Sequence, residues 1–176
     1  MNRRPQIGVM GSVSDLNYSK DTAQLAASVG TLLAKQNVVV MFGAEKDFDS
    51  LSTVAARAAR QAGGTTVGIT YGKGLSTYTD DAEIVIATGL ERGGGREFSL
   101  ALSCDVIICI SGGSGTLNEI AVAYQAGIPI IALTGTGGWS DRLADQYLDA
   151  RQRLKVEAAP TPQAAVNRAV LIAASS

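Results

Sequence analysis

Five consecutive apolar residues, Val106 to Ile110, follow Asp105 and run directly into Ser111-Gly-Gly-Ser-Gly-Thr-Leu-Asn-Glu119. An unbroken Val/Ile/Cys run of this kind has no polar face to offer water. It predicts a strand covered on both sides, as in parallel sheets. After the turn, Ile120, Val122, Ala123 and Ala126 with Gly127 suit a short helix from Thr116 to Gln125, ended by glycine. Strand, glycine turn and helix N-terminus together form a geometry that holds an oxyanion. Residues without side chains let the backbone come close, and free N–H groups with the helix dipole offset the charge. Gly112, Gly113, Ser114, Gly115 and Thr116 are therefore candidate phosphate ligands. A plainer alternative stands beside this: Thr116-x-x-Glu119 matches a capping box, in which both side chains serve the helix start itself.

The rest of the chain repeats the pattern. Predicted strands are Ile7–Met10, Val38–Phe42, Thr66–Thr70, Glu83–Ala87, Val106–Ile110, Ile130–Leu133 and Lys155–Ala158. Predicted helices are Ser19–Lys35, Ser50–Gln61, Arg96–Ser103, Thr116–Gln125, Asp141–Arg153 and Thr161–Ala174. In Thr22–Leu33 the apolar residues recur at helical spacing, and Gly63-Gly64 and Gly127 with Pro129 stop helices before strands. This alternation predicts one α/β domain over residues 1–176. It would be a three-layer sandwich with a mostly parallel sheet of about seven strands and helices on both faces. Ligands bind such sheets beyond the carboxyl ends of the strands. The loops Gly11–Asp15, Gly43–Asp49, Thr88–Gly95 and Ser111–Gly115 should then line one rim.

Composition narrows the chemistry. Fifteen basic and sixteen acidic residues leave a net charge of −1, with no charge block to attract nucleic acid or an anionic membrane. No run approaches the ~20 apolar residues that span a bilayer. The start, Met-Asn-Arg-Arg-Pro-Gln, leads into Ile7-Gly-Val-Met-Gly11, a run too short for a signal-peptide core. Cys104 and Cys109 sit among apolar neighbours without metal-ligand spacing, which predicts buried reduced thiols, a cytoplasmic location and no protein-ligated metal. The chain has no histidine. Ser-His-Asp and Cys-His catalysis and imidazole zinc sites are thereby excluded. Chemistry is left to carboxylates, Arg, Lys, Tyr and backbone dipoles.

Other loops carry open alternatives. In Thr88-Gly-Leu-Glu-Arg-Gly-Gly-Gly-Arg-Glu97, Gly93–Gly95 would let backbone approach a ligand. Arg96, at a helix start, is a better anion partner than Arg92. Gly11-Ser-Val-Ser-Asp15 either offers donors to a ligand or simply begins a helix. Tyr71-Gly-Lys-Gly74 either turns Lys73 toward an anion or leaves it in solvent. Trp139 either stacks on a flat ligand or covers the sheet. Glu45, Asp47 and Asp49 oppose a phosphate unless Lys46 turns inward, or else they cap the following helix.

Arg96 and Glu119 stand 23 positions apart, with Gly112-Gly-Ser-Gly-Thr116 just before the glutamate. This resembles the Lonely Guy superfamily, whose hallmark is an Arg-Lys pair followed by Pro-Gly-Gly-x-Gly-Thr-x-x-Glu at that spacing. A closer resemblance, over nearly the whole chain, is to its molybdenum-cofactor-carrier-like branch. It is carried by Ile7-Gly-Val-Met-Gly-Ser12, Ala87-Thr-Gly-Leu90, Gly115-Thr-Leu-Asn-Glu119, Gly137-Gly-Trp-Ser-Asp141 and Thr161-Pro-Gln-Ala-Ala165. The resemblance implies a Rossmann-like fold and a carrier of a phosphorylated heterocycle, most like the molybdenum cofactor. It also implies pairing of the helices Arg96–Ser103 and Thr116–Gln125 around a two-fold axis, in a homodimer or homotetramer. The alternative it implies is a nucleoside 5′-monophosphate phosphoribohydrolase, with Arg96 and Glu119 as catalytic residues. Candidate ligand contacts are Gly11, Ser12, Gly43, Thr88, Gly89, Gly95 and Arg96, together with Gly112 to Thr116 and Glu119. Three departures stand out. Glu97 replaces the Lys of the pair, Ser111 replaces Pro as a mild change expected to loosen the turn, and the acidic Phe42–Leu51 segment replaces a glycine-rich loop.

Overall fold

A computed structural model describes residues 3–44, 48–72, 80–90 and 95–175. The strands are β1 Gln6–Gly11, β2 Val39–Ala44, β3 Thr65–Thr70, β4 Ile84–Ala87, β5 Val106–Ile110, β6 Ile130–Leu133 and β7 Glu157–Ala159. The helices are α1 Lys20–Ala34, α2 Leu51–Gln61, α3 Gly95–Leu102, α4 Ser114–Ala126, α5 Gly138–Leu143 and α6 Pro162–Ala174, with a 3-10 turn at Ser14–Leu16. The strands form one seven-stranded sheet in the order β4-β3-β2-β1-β5-β6-β7. Every pairing is parallel. This is the Rossmann-like three-layer arrangement that the strand–helix alternation predicts.

The faces sort by side chain. Ile7 and Val9 of β1 with Val106, Ile108 and Ile110 of β5 meet Val29 and Leu33 of α1, Ala55 of α2 and Val166 of α6. On the opposite face Met10, Met41, Ile107 and Cys109 meet Leu100 of α3 and Ile120 and Tyr124 of α4. All five β5 residues are buried, as a strand at the sheet centre requires. From β1 the chain winds outward to β4, then returns to β5 on the other side of β1 and winds away. The loops after β1 and β5 therefore diverge at the point where strand order reverses, which is where such sheets open a crevice.

Three predicted elements differ most. Helix Asp141–Arg153 is instead the six-residue α5, Gly138–Leu143. Asp145 and Gln152 adopt left-handed backbone (φ 58 and 49), which a helix cannot carry. The segment pairs with the chain ahead of β7, through Asp145 N to Val156 O (2.9 Å) and Val156 N to Gln146 O (2.9 Å). Lys155 bridges Tyr147 in antiparallel fashion, so β7 starts only at Glu157. Helix α4 begins at Ser114 with Gly113 as its N-cap, two residues earlier than predicted.

At the amino ends of β1 and β5, Asp105 accepts from Arg3 (2.7 and 2.5 Å) and from the Gln6 amide (2.8 Å). The Arg3 hydrogen bond holds its carboxyl below the ordinary carboxylate range. A depressed carboxylate stabilises the fold above its unfolded pKa, and that contribution is lost as pH falls through the folded value. Asp105→Asn should cost about 1 kcal/mol at pH 7. Urea unfolding should show the gap from wild type narrowing below about pH 4, the unfolded carboxylate range. A gap that widens on acidification would contradict the assignment.

Candidate functional site

A cavity of about 600 Å³ opens at the β1/β5 divergence. One wall is the start of α4, contributed by Gly113, Ser114, Gly115 and Thr116, with Asn118 and Glu119 in the next turn. The facing walls are Gly11, Val13, Asp15 and Leu16 after β1, Ser50 and Ser52 at the start of α2, and Arg96 and Glu97 at the start of α3.

The α4 wall is defined by its missing cap. Gly113, the N-cap, has no side chain to give, and Thr116 stands three positions into the helix. The capping-box alternative therefore fails, because a capping threonine must precede the helix. Leu117 N donates to Gly113 O (3.0 Å) and begins the helical ladder. Among the described residues the amides of Ser114, Gly115 and Thr116 meet no acceptor, as the first turn of a helix dictates. Those three residues line the cavity. The Gly112 amide does not join them, since it donates to Ser12 Oγ (2.8 Å).

Beyond the first turn of α4 the lining is ionic. Arg96 is 6%, Glu97 3% and Glu119 6% exposed, so all three are desolvated yet border the cavity. Arg96 reaches Glu97 (3.4 Å) and Glu119 (3.9 Å), and its guanidinium lies 5.7 Å from the Tyr71 ring centroid. A guanidinium between two carboxylates keeps these charges buried where an isolated one would be prohibitive. With Asp15, the described lining holds three carboxylates and one cation. Cys104 and Cys109 are free, buried and absent from the cavity lining, and burial pushes both thiols well above their ordinary value. Neither supplies a thiolate nucleophile at neutral pH.

Of the residues singled out from sequence, Gly11, Gly113, Ser114, Gly115, Thr116, Arg96 and Glu119 meet at this cavity. The others serve it from outside. Ser12 is buried under the turn, and Gly112 takes φ 105 beneath the Thr116 side chain, which a Cβ there would strike at 2.6 Å. A Cβ on Gly43 would fall 1.9 Å from Arg96 Nη1, so this glycine makes room for the guanidinium. Gly95 starts α3 with Leu90 packed on it. Thr88 Oγ1 donates to Thr70 O (2.9 Å) and accepts from Leu90 N (3.2 Å), tying the segment after β4 to β3, and Gly89 there takes φ 70.

Sequence reasoning did not propose Val13, Leu16, Ser50, Ser52 or Asn118. Val13, Leu16, Ser50 and Ser52 come together beside a tertiary pairing, the antiparallel bridge of Val13 with Ser50, which has no linear signal, whereas Asn118 comes with α4. Helix α2 is capped by Ser50, whose Oγ accepts from Thr53 N (3.1 Å), and not by Asp49. Asp49 instead pairs with Arg57 (3.2 Å). Trp139 packs against the α3–α4 face of the sheet with Arg142 5.0 Å from its ring, and is absent from the cavity lining. The proposed roles of Glu45, Lys46, Asp47, Lys73, Arg92, Gly93 and Gly94 lie outside the described residues.

Fold and site define a Rossmann-like α/β protein with a ligand-sized cavity at the carboxyl edge of its sheet. Residues 4–166 match the SLOG cluster4 family, and the chain belongs to that family. This bears out the resemblance to the Lonely Guy superfamily and its carrier-like branch. An uncharacterised protein from Archaeoglobus fulgidus is 32% identical over 128 residues, covering 73% of this chain and 79% of the relative. The molybdenum cofactor carrier protein of Chlamydomonas reinhardtii superposes with a TM-score of 0.81 at 28% identity, covering 98% of this chain and 99% of the other. The molybdenum cofactor binding protein of Rippkaea orientalis gives the same TM-score, identity and coverage. Among the described residues, no helix is long and apolar enough to cross a membrane.

Gly43→Ala should displace Arg96 and break the buried ionic cluster, at a cost of about 3 kcal/mol in denaturant unfolding. Wild-type stability in that variant would show that the guanidinium is not held as described.

Proposed function

We propose that this protein is a binding or carrier protein for a phosphorylated heterocycle, the molybdenum cofactor being the ligand it suits best. One observation carries the reading: three helix-start amides, at Ser114, Gly115 and Thr116, border a cavity with no protein acceptor among the described residues. A helix terminus of this kind holds a phosphate with neutral dipoles. That matters here, because the charged part of the lining carries more carboxylate than cation. The volume of about 600 Å³ suits a ligand of nucleotide or pterin size. Two carboxylates, Glu97 and Glu119, favour a body whose edge donates hydrogen bonds, as amino-substituted rings and ribose hydroxyls do. The two carrier and binding proteins of the same fold point to the same class of cargo.

A phosphoribohydrolase is the second reading, favoured by the approach of Arg96 to Glu119 within the cavity. Glu119 would then steady charge developing at the anomeric carbon. Glu97 weakens it, since it takes the place of a cation and shares the guanidinium with Glu119.

Native mass spectrometry of freshly isolated protein should show a retained phosphorylated mass. Gly113→Asp should abolish retention while stability is unchanged or gains a few tenths of a kcal/mol. The reason is that aspartate is a better N-cap than glycine and occupies the amides itself. Retention by that variant would overturn the phosphate assignment. Purified protein should release no adenine from AMP. Robust release that is lost in Glu119→Ala would make the hydrolase reading correct instead.

We also propose that the chain self-associates through α3 and α4. Phe98 and Leu102 are 49% and 57% exposed, beside an uncharged groove lined by Ala121, Val122 and Ala126. Leu102→Arg should reduce the mass seen by analytical ultracentrifugation to that of one chain, 18.1 kDa. A wild-type protein already sedimenting as a monomer would refute the proposal.

A further inference from the structure

The turn ahead of α4 is built from hydroxyls as much as from glycine. Its four backbone groups are all spent inside the protein. Ser111 N donates to Thr136 Oγ1 (2.8 Å) and Gly112 N to Ser12 Oγ (2.8 Å). Ser111 O accepts from Ser140 N (2.8 Å) and Gly112 O from Trp139 N (3.1 Å). The hydroxyls are themselves committed. Ser12 Oγ donates to Ser111 Oγ (3.0 Å), and Thr136 Oγ1 donates to Leu133 O (2.8 Å). Ser12 is 3% exposed, and Ser111 and Thr136 are each 8% exposed. The turn is thus fixed at once to the loop after β1, the loop after β6 and the start of α5.

Ser111 takes φ 56. Proline, locked near φ −65° and lacking an N–H, can adopt neither that conformation nor the bond to Thr136. The Ser111 replacement is therefore no loosening of a proline turn. It goes with a different turn, in which a bond network does the stiffening that a ring would do.

We infer that Ser12 and Thr136 are positioning residues for the oxyanion site. They pin the Ser111–Gly112 amides so that the next amides, from Ser114 to Thr116, are left over and aimed into the cavity. Ser12, singled out from sequence as a ligand donor, acts through the turn. The inference rests on the phosphate reading proposed above. The physical reason is the cost of a buried unpaired donor. Without either hydroxyl, the Ser111 or Gly112 N–H must find another acceptor, and the turn rotates to supply one. The α4 amides move with it.

The test uses full-length nitrogen-15-labelled protein and inorganic phosphate, read from the Ser114, Gly115 and Thr116 amide signals. Wild type should show saturable shifts at these amides. Thr136→Val, nearly isosteric, removes the bonds to Ser111 N and Leu133 O; it should remain folded and bind about tenfold or more weakly. Thr136→Ser, which keeps the hydroxyl, should restore affinity to within about threefold. A purely structural role would lower stability and leave affinity in place. Ser12→Ala is the independent second variant, expected to weaken binding to the same extent. Wild-type affinity in either folded variant overturns the inference. Amide hydrogen exchange of the wild-type protein needs no variant: Ser111 and Gly112 should be protected, and Ser114 to Thr116 should exchange fast. Fast exchange at Gly112 also overturns it. Absence of saturable shifts in wild type, with Gly112 protected, would instead sink the phosphate reading and leave the turn's architecture intact.

Discussion

A buried backbone N–H must have an acceptor, and at the carboxyl end of β5 this rule decides the character of the whole rim. The turn residues Ser111 and Gly112 meet it through the hydroxyls of Thr136 and Ser12, while their carbonyls accept from the start of α5. The residues immediately after them do not. Helix α4 starts on a glycine that has no side chain with which to close the helix end. The resulting dipole faces a cavity because strand order reverses between β1 and β5, so that the two loops part instead of packing together. Topology places the opening, and capping chemistry decides what it attracts.

Charge gives the cavity a direction. A site built from cations would bind small anions indiscriminately. On the reading proposed above, the amide wall would take an oxyanion, while Asp15, Glu97 and Glu119 would repel one elsewhere in the lining. Arg96 is held by its carboxylate neighbours over a glycine that leaves it space, so it balances buried charge before it meets any ligand. A molecule that fits this field has one anionic end and a neutral, donor-bearing body. That description covers phosphorylated pterins and nucleotides. The near-neutral chain carries no charge block of the kind that draws in a polyanion.

Much of this was readable in the sequence, for identifiable reasons. The run Val106–Ile110 declares a central strand because nothing in it can face water, and the glycines of residues 112–115 declare a close backbone approach. What sequence pattern missed is what tertiary pairing creates. The predicted helix 141–153 has helical composition, yet Asp149 takes a hydrogen bond from Tyr124 of α4 (2.6 Å), which no local pattern announces. Thr116 and Glu119 match a capping box by spacing, but a helix start displaced by two residues makes them cavity wall. Gly43 reads as a ligand contact on its own. Only the position of Arg96 shows that it gives space to another side chain.

The most direct test of the central claim is a crystal structure of the protein soaked with a phosphorylated pterin or a nucleoside monophosphate. The account predicts phosphate density within hydrogen-bond distance of the Ser114, Gly115 and Thr116 nitrogens, with the ring against the Glu97–Arg96–Glu119 wall. Phosphate bound at another place on the molecule, with those three nitrogens engaged by protein atoms, would contradict it.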